Sequence, residues 1–362
     1  MKTFLKVIVA LLLVAAIGVG GFVLYKDTRG IGYDLDSVEK VESNLTIVAE
    51  DEDSVTLKMK NDGDFKVLMF TDTHLKGDKE LDEMTSTYLV KNITEQKPDL
   101  VIFGGDNVTG GFTRARTKEF AQLMDNLGVY WASVHGNHEG QGFGAVPRED
   151  IIGIQSSYEY CLMRHGKAGV DGYGNYTVNI LNNDGTVREV FFFMDSGSYM
   201  TQESKDKYGV TDTDDVYDGV KDTQVQWYKD KHDAIEAEYG EFKSVTVVHI
   251  PPYQAEQEYN DGDFAYGEKR EGVCESGFDA GFFDAMKEKG SAQAVYFGHD
   301  HVNDFGYEYD GILLSYIQPS GYGAYNMSTK FDAPENEWIQ GCSVLDIAED
   351  GSYISSRIYN HK

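Results

Sequence analysis

An α/β fold built on sheets with covered faces is what this sequence predicts, on three observations. Short apolar runs alternate with helical patterns along most of the chain, and five of those runs end in turns carrying histidine, aspartate or asparagine. Hydrophobic residues at 41% and aromatic residues at 13% are ample for a large core, and 362 residues suit one large domain or a domain with a small appendage.

The elements follow in order. Lys2 and Lys6 precede Val7 to Tyr25, an uncharged apolar run that Lys26 closes. This run is close to the roughly 20 residues a membrane-spanning helix needs and longer than a usual signal-peptide core. Residues 1–29 are therefore expected to be a signal anchor, an N-terminal membrane helix. A cleaved secretory signal, with Ala15, Ala16 and the glycines that follow supplying the cut, is the alternative. The short stub with two lysines favours a cytoplasmic amino terminus. The rest of the chain would then be extracytoplasmic, anchored to the membrane by residues 7–25 or secreted after cleavage. Residues 30–64 are acidic and weakly patterned, and read as a stalk leading into a small β hairpin, Leu45 to Val48 and Val55 to Met59.

Residues 65–362 read as the main domain. Its first half gives a strand at Val67 to Phe70, a helix to about Glu95, a strand at Leu100 to Phe103, a helix near Thr117 to Leu127, and a strand at Val129 to Val134. The second half gives a hairpin, Tyr176 to Leu181 and Val187 to Met194, around Asn182-Asn183-Asp184-Gly185. A helix near Thr223 to Glu238, a strand at Ser244 to Ile250, a helix near Phe278 to Lys289 and a strand at Ala294 to Phe297 come next. Several strands close the chain by Ile358.

Charge excludes one class of partner. The chain carries 61 acidic against 32 basic residues, a formal net charge of −29. No concentrated basic stripe interrupts that field, so no nucleic acid partner is expected. Cys161, Cys274 and Cys342 are the only cysteines, which permits at most one bridge and no disulfide framework. Oligomeric state is not legible.

Five blocks carry the chemistry: Asp72-Thr73-His74, Gly104-Gly105-Asp106-Asn107, Gly136-Asn137-His138-Glu139, His249, and Gly298-His299-Asp300-His301. Each stands at the carboxyl end of an expected strand, so five strand ends converge on one rim, where open α/β sheets bind ligands. A lone Asp-x-His after a strand is usually a turn or a cap. The joint occurrence points instead to oxygen and nitrogen donors for two metal ions. His135 reads as packing, and His165, His232 and His361 as surface side chains. Glu139 reads as structural, Asp212 to Asp218 as a solvated turn, and Gln226-Trp227-Tyr228 as helix packing.

The pattern resembles the calcineurin-like metallophosphoesterases over residues 65 to 320. Within that superfamily, Asp195-Ser196-Gly197-Ser198-Tyr199, His249-Ile250-Pro251, Phe297-Gly298-His299-Asp300-His301 and Gly321-Tyr322-Gly323-Ala324-Tyr325 resemble the small purple-acid-phosphatase-like proteins of fungi and plants. The resemblance implies a four-layer α-β-β-α sandwich with mixed sheets and dimetal-dependent phosphoesterase activity on a small phosphorylated substrate. It places Asp72, His74 and His301 on one metal, Asn137, His249 and His299 on the other, and Asp106 between them. A hydroxide bridging the metals would attack phosphorus, and His138 would protonate the leaving oxygen or stabilise charge. Purple acid phosphatases proper carry a tyrosine ligand three residues after the bridging aspartate. Thr109 stands there in this chain, so ferric iron is not required, and manganese, iron, zinc or cobalt would suit the donors.

A phosphomonoesterase is the preferred reading, with phosphodiester or nucleotide hydrolysis the alternative and a nuclease or a non-catalytic metal-binding module less favoured. Tyr253, Tyr322 and Tyr325 are the candidates for substrate contact. The segment Pro252 to Phe278 is a candidate specificity lid.

Overall fold

A computed structural model describes residues 28–256 and 264–361, with Gly21. The expected membrane run, Gly21 apart, and Tyr259 of the expected lid lie outside the described residues. Among the described residues no helix is long and apolar enough to cross a membrane.

Two mixed sheets make a sandwich. The smaller has the order β14-β13-β3-β4-β5, from Tyr353–Tyr359, Gly341–Ile347, Phe65–Phe70, Leu100–Phe103 and Tyr130–Ser133. Its β3, β4 and β5 run parallel, and β13 pairs antiparallel with β3. The larger sheet has nine strands in the order β1-β2-β6-β7-β8-β10-β12-β11-β9. These are Leu45–Glu50, Ser54–Met59, Tyr176–Leu181, Val187–Phe193, Ser244–Val247, Ala292–Phe297, Ile312–Tyr316, Gly306–Tyr309 and Phe264–Tyr266. Within it β7, β8, β10 and β12 are parallel neighbours.

Strand alternation sorts the core. Phe191 and Phe193 of β7, with Ala294 and Tyr296 of β10, share a cluster with the smaller sheet. Val190, Phe192, Val295 and Phe297, on the opposite face, pack with Trp227 and Tyr228 of the helix Asp222–Tyr239 and Phe282 and Phe283 of the helix Phe282–Lys289. The first cluster also holds Leu89 and Ile93 of α1, Lys79–Gln96, and Phe120 and Leu123 of α2, Arg114–Leu127. Strands buried on both faces read as continuous apolar runs, as Leu100 to Phe103 does.

Three expectations need correction. The segment read as a stalk lies along α2: Ile31 is buried with its N–H on Glu119, 2.9 Å away, and the N–H of Val41 donates to Leu127 O. The hairpin that follows it forms as expected, β1 pairing antiparallel with β2, and β2 also pairs in parallel with β6, so the hairpin extends the larger sheet. Sparse apolar residues hid the first contact, and a sequence separation of over a hundred residues hid the second. His232 is not at the surface. It is buried against Phe242, with ring centroids 4.7 Å apart, on the inner side of its helix. The His361 side chain is also largely covered, held by Tyr322 Oη at 2.7 Å and Glu335 at 2.7 Å.

Candidate dimetal centre

All five blocks follow strands whose carboxyl ends point the same way, three from the smaller sheet and two from the larger. The structure brings their donor atoms into two adjoining clusters, Asp72 with His74 and His301, and Asp106 with His249 and His299, each within 4.8 Å. Asp106 Oδ2 lies 3.5 Å from His74 Nε2 and 3.4 Å from His249 Nε2, between the clusters. Asn137 Oδ1 joins the second, 3.1 Å from His249 Nε2.

Hydrogen bonds aim each donor. Asp72 Oδ2 accepts from Thr71 Oγ1 at 2.8 Å and from the N–H of His299 at 3.0 Å, which leaves Oδ1 facing the cluster. Asp106 Oδ1 accepts from the N–H of His138 at 2.8 Å and leaves Oδ2 free in the same way. Acceptors hold the Nδ1 atoms of three histidines: Gly104 O for His249, Tyr325 O for His301 and Thr109 Oγ1 for His74. The two carbonyls, which only accept, fix His249 and His301 in the tautomer with its lone pair on Nε2. His74 Nε2 and His301 Nε2 are only 3.2 Å apart, a contact that requires a cation or a proton.

Three of the clustered donor atoms are buried without a hydrogen-bond partner among the described residues: Asp72 Oδ1, Asp106 Oδ2 and His299 Nε2. Orphaned buried polar atoms are costly, and these three converge where two cations would be held. The donor set of carboxylate, amide oxygen and imidazole fits zinc, manganese, iron or cobalt. The electrostatics agree. Burial alone would raise the aspartates, yet the facing histidines hold Asp72 and Asp106 far below the usual carboxylate range. Against its own burial, His249 is lifted to about 9 by Asp106 and Asp72, while burial and then His249 bring His299 down to about 3.

Backbone strain marks the same atoms. Asp72, His74, Asp106 and His299 have φ of 54°, 42°, 51° and 80°, half of the eight non-glycine residues with positive φ among the described residues. Each such placement costs about 1 kcal/mol or more and persists only where surroundings enforce it. Glycine is required nearby: a Cβ on Gly136 would stand 2.1 Å from Asp106 Oδ1, and one on Gly298 2.6 Å from Asp72 Oδ2. Glu139 ties these turns together, its carboxylate accepting the N–H groups of Asp106, Asn107 and Gly136 at 3.0, 2.5 and 2.8 Å.

His138 is half-buried on the wall of a cavity of about 320 Å3 in front of the clusters, with Nδ1 2.8 Å from Gln141 Oε1. Tyr325 lines the same cavity, its ring stacked on His301 at 4.3 Å and 18°. Tyr322 does not reach it. That side chain is buried, with its hydroxyl on His361 and Asn360. Tyr253 lines a different cavity, beside Phe278 and Phe282. Three lining residues were not singled out from sequence: Tyr217, whose ring meets that of His299 at 4.3 Å and 86°, Cys274, and Asp300. Only Asp300, inside the last block, carried a sequence signal. All three cysteines are free.

A model of the family described as calcineurin-like phosphoesterase matches residues 65–303. Probable inactive purple acid phosphatase 14 of Arabidopsis thaliana is 29% identical over 311 residues, covering 74% of this chain and 73% of that protein. Phosphatase DCR2 of Saccharomyces cerevisiae is 26% identical over 278 residues, covering 69% of this chain and 46% of that protein. A dimetal phosphatase from Danio rerio has a TM-score of 0.51 at 14% identity, over 81% of this chain and 95% of that one. That last likeness is one of fold.

Proposed function

The chain belongs to the calcineurin-like phosphoesterase family and is a metal-dependent hydrolase of phosphoric esters, and we propose that it is a phosphomonoesterase working outside the cytoplasm. The observation that carries catalytic competence is the convergence of Asp72 Oδ1, Asp106 Oδ2 and His299 Nε2, buried and without protein partners. The Arabidopsis relative has inactivity in its name, whereas here all seven donor positions are filled and face one another.

Two bound cations would supply charge neutralisation for the phosphoryl oxygens and an ionised water as nucleophile. The chain's own residues do the rest. Asp72, His74 and His301 would hold one ion, Asn137, His249 and His299 the other, and Asp106 both. The hydrogen bonds to Nδ1 keep the imidazoles turned inward. His138, braced through Nδ1 by Gln141 Oε1, is free to carry a proton on Nε2 and pass it to the leaving oxygen. A cavity of about 320 Å3 favours a monoester, which brings one organic group rather than two.

A panel of chromogenic mono- and diesters with added manganese tests the reading. The monoester should exceed the diester by about tenfold or more in kcat/KM, a barrier difference of about 1.4 kcal/mol. The reverse order would favour the diesterase. For location, the support is the apolar run of residues 7–25 between Lys6 and Lys26. Full-length protein should sediment with membranes through a high-salt wash, and recovery of only a shortened soluble form would favour cleavage.

A further inference from the structure

The cavity in front of the two clusters contains no positive charge of its own. Among the described residues, no lysine or arginine lines it. Lys330, which approaches the Tyr325 ring at 4.7 Å, is paired with Glu271. One carboxylate besides Asp106 lines the cavity, that of Asp300, which is 2% exposed. Asp300 Oδ2 accepts from the N–H of Cys274 at 3.0 Å and from Tyr316 Oη, while Oδ1 is buried without a hydrogen-bond partner among the described residues. Apart from the proton that His138 carries to the leaving oxygen, any positive charge that a phosphate meets here is therefore confined to the ions. The organic part of the substrate faces a carboxylate, hydroxyl groups and rings, within a chain of net charge −29.

The walls are also braced. Tyr217 stacks on Tyr199 at 5.1 Å and 23° while its ring meets His299. Tyr325 is clamped on His301, accepts the N–H of His301 at 3.2 Å and gives its own hydroxyl to Glu271 at 2.9 Å. Rings held this firmly do not swing aside, so a phosphoryl group leaves space for an organic part of about one ring, given that ligand sites run from about 300 Å3 upward.

Building on the phosphoesterase reading, we propose that the pocket selects monoesters whose organic part is compact and carries no negative charge, with Asp300 as the residue that rejects a second anion. A carboxylate or second phosphate on the leaving group would enter a small space that offers it no lysine or arginine, beside a carboxylate, where like charges near protein repel more strongly than in bulk water. Neutral or cationic leaving groups escape that cost.

The test is a pair of nearly isosteric esters, 4-carbamoylphenyl and 4-carboxyphenyl phosphate, assayed with manganese-loaded protein at low ionic strength. The carboxamide should be preferred by about tenfold or more in kcat/KM, and the preference should shrink as salt screens the repulsion. Asp300→Asn, which keeps an oxygen for both donors, should narrow the ratio several-fold. Ala324→Lys, on the same wall, should narrow it independently by raising the rate of the carboxylated ester. Metal content and melting temperature of each variant show that the site is intact. A ratio near one in the wild type, or one unmoved by both variants, overturns the proposal. Failure of the metal-loaded protein to hydrolyse either ester would instead overturn the phosphoesterase reading on which it rests.

Discussion

Glu139→Gln separates a structural role from a merely neighbouring one. In the wild type, Oε2 accepts from the N–H groups of Asp106 and Gly136 and Oε1 from that of Asn107. A glutamine can keep its oxygen at the Oε2 position, but its amide group then points donor to donor at Asn107. One orphaned buried N–H costs about 1–3 kcal/mol, and two bonds weaken from charge-assisted to neutral. A total of about 3 kcal/mol corresponds to a fall of about 4–6 °C in melting temperature for a domain of this size. Because Asp106 and Asn137 ride on the turns that Glu139 joins, metal affinity should fall by about 10- to 100-fold. Differential scanning calorimetry and chelator competition read the two effects. Burial and then the Asp106 charge push the Glu139 carboxyl up to about 8, whereas three N–H donors leave no acceptor for a carboxyl proton. The hydrogen bonds argue for the ionised form. Unchanged melting temperature and unchanged metal affinity in the variant would show a protonated group and refute the reasoning.

Other outcomes follow from the same geometry. His138→Ala should retain both metals yet lose roughly 10² to 10⁴ in kcat, less with p-nitrophenyl phosphate, whose leaving group needs little protonation, than with an alkyl phosphate. Equal losses on both substrates would leave charge stabilisation as the role of His138. Glu189 is fully buried with Oε1 unpartnered, and burial holds its carboxyl well above the usual range. The unfolded chain releases that proton near pH 4.5 and the folded one later, so wild-type stability drains by up to about 1.4 kcal/mol per pH unit as pH rises between the two values. Glu189→Gln should therefore melt higher than wild type at pH 8 by a few degrees, with the gain gone near pH 4.5. A pH-independent difference would contradict the assignment.

How much of this could be read from the chain alone depends on the range of each interaction. The donor blocks were legible because each strand and its turn are contiguous, and parallel strands present their carboxyl ends together. Asp106 lies three residues after Phe103, and His299 two after Phe297. Left-handed backbone at Asp72 and His299 was not legible, since it is imposed by bonds such as Asp72 N–H to Gly105 O across strands. Tyr322 and Tyr325 sit three apart in one glycine-rich turn, and only the tertiary fold turns one inward to His361 and the other onto His301. Tyr217 was hidden in an acidic stretch whose start, residues 212–215, is exposed but whose end, Asp218, is buried and paired with Lys221. The helix Arg148–Gln155, too short for a clear period, also escaped notice.

The shared carboxylate is the centre of the mechanism, and elemental analysis of wild type against Asp106→Asn, with activity measured on the same samples, addresses it most directly. Wild type should carry two metal ions per chain. The variant, which keeps an acceptor for the N–H of His138 but loses the charge facing both clusters, should be depleted at both positions and inactive. Two ions per chain and undiminished turnover in Asp106→Asn would contradict a centre built around that residue.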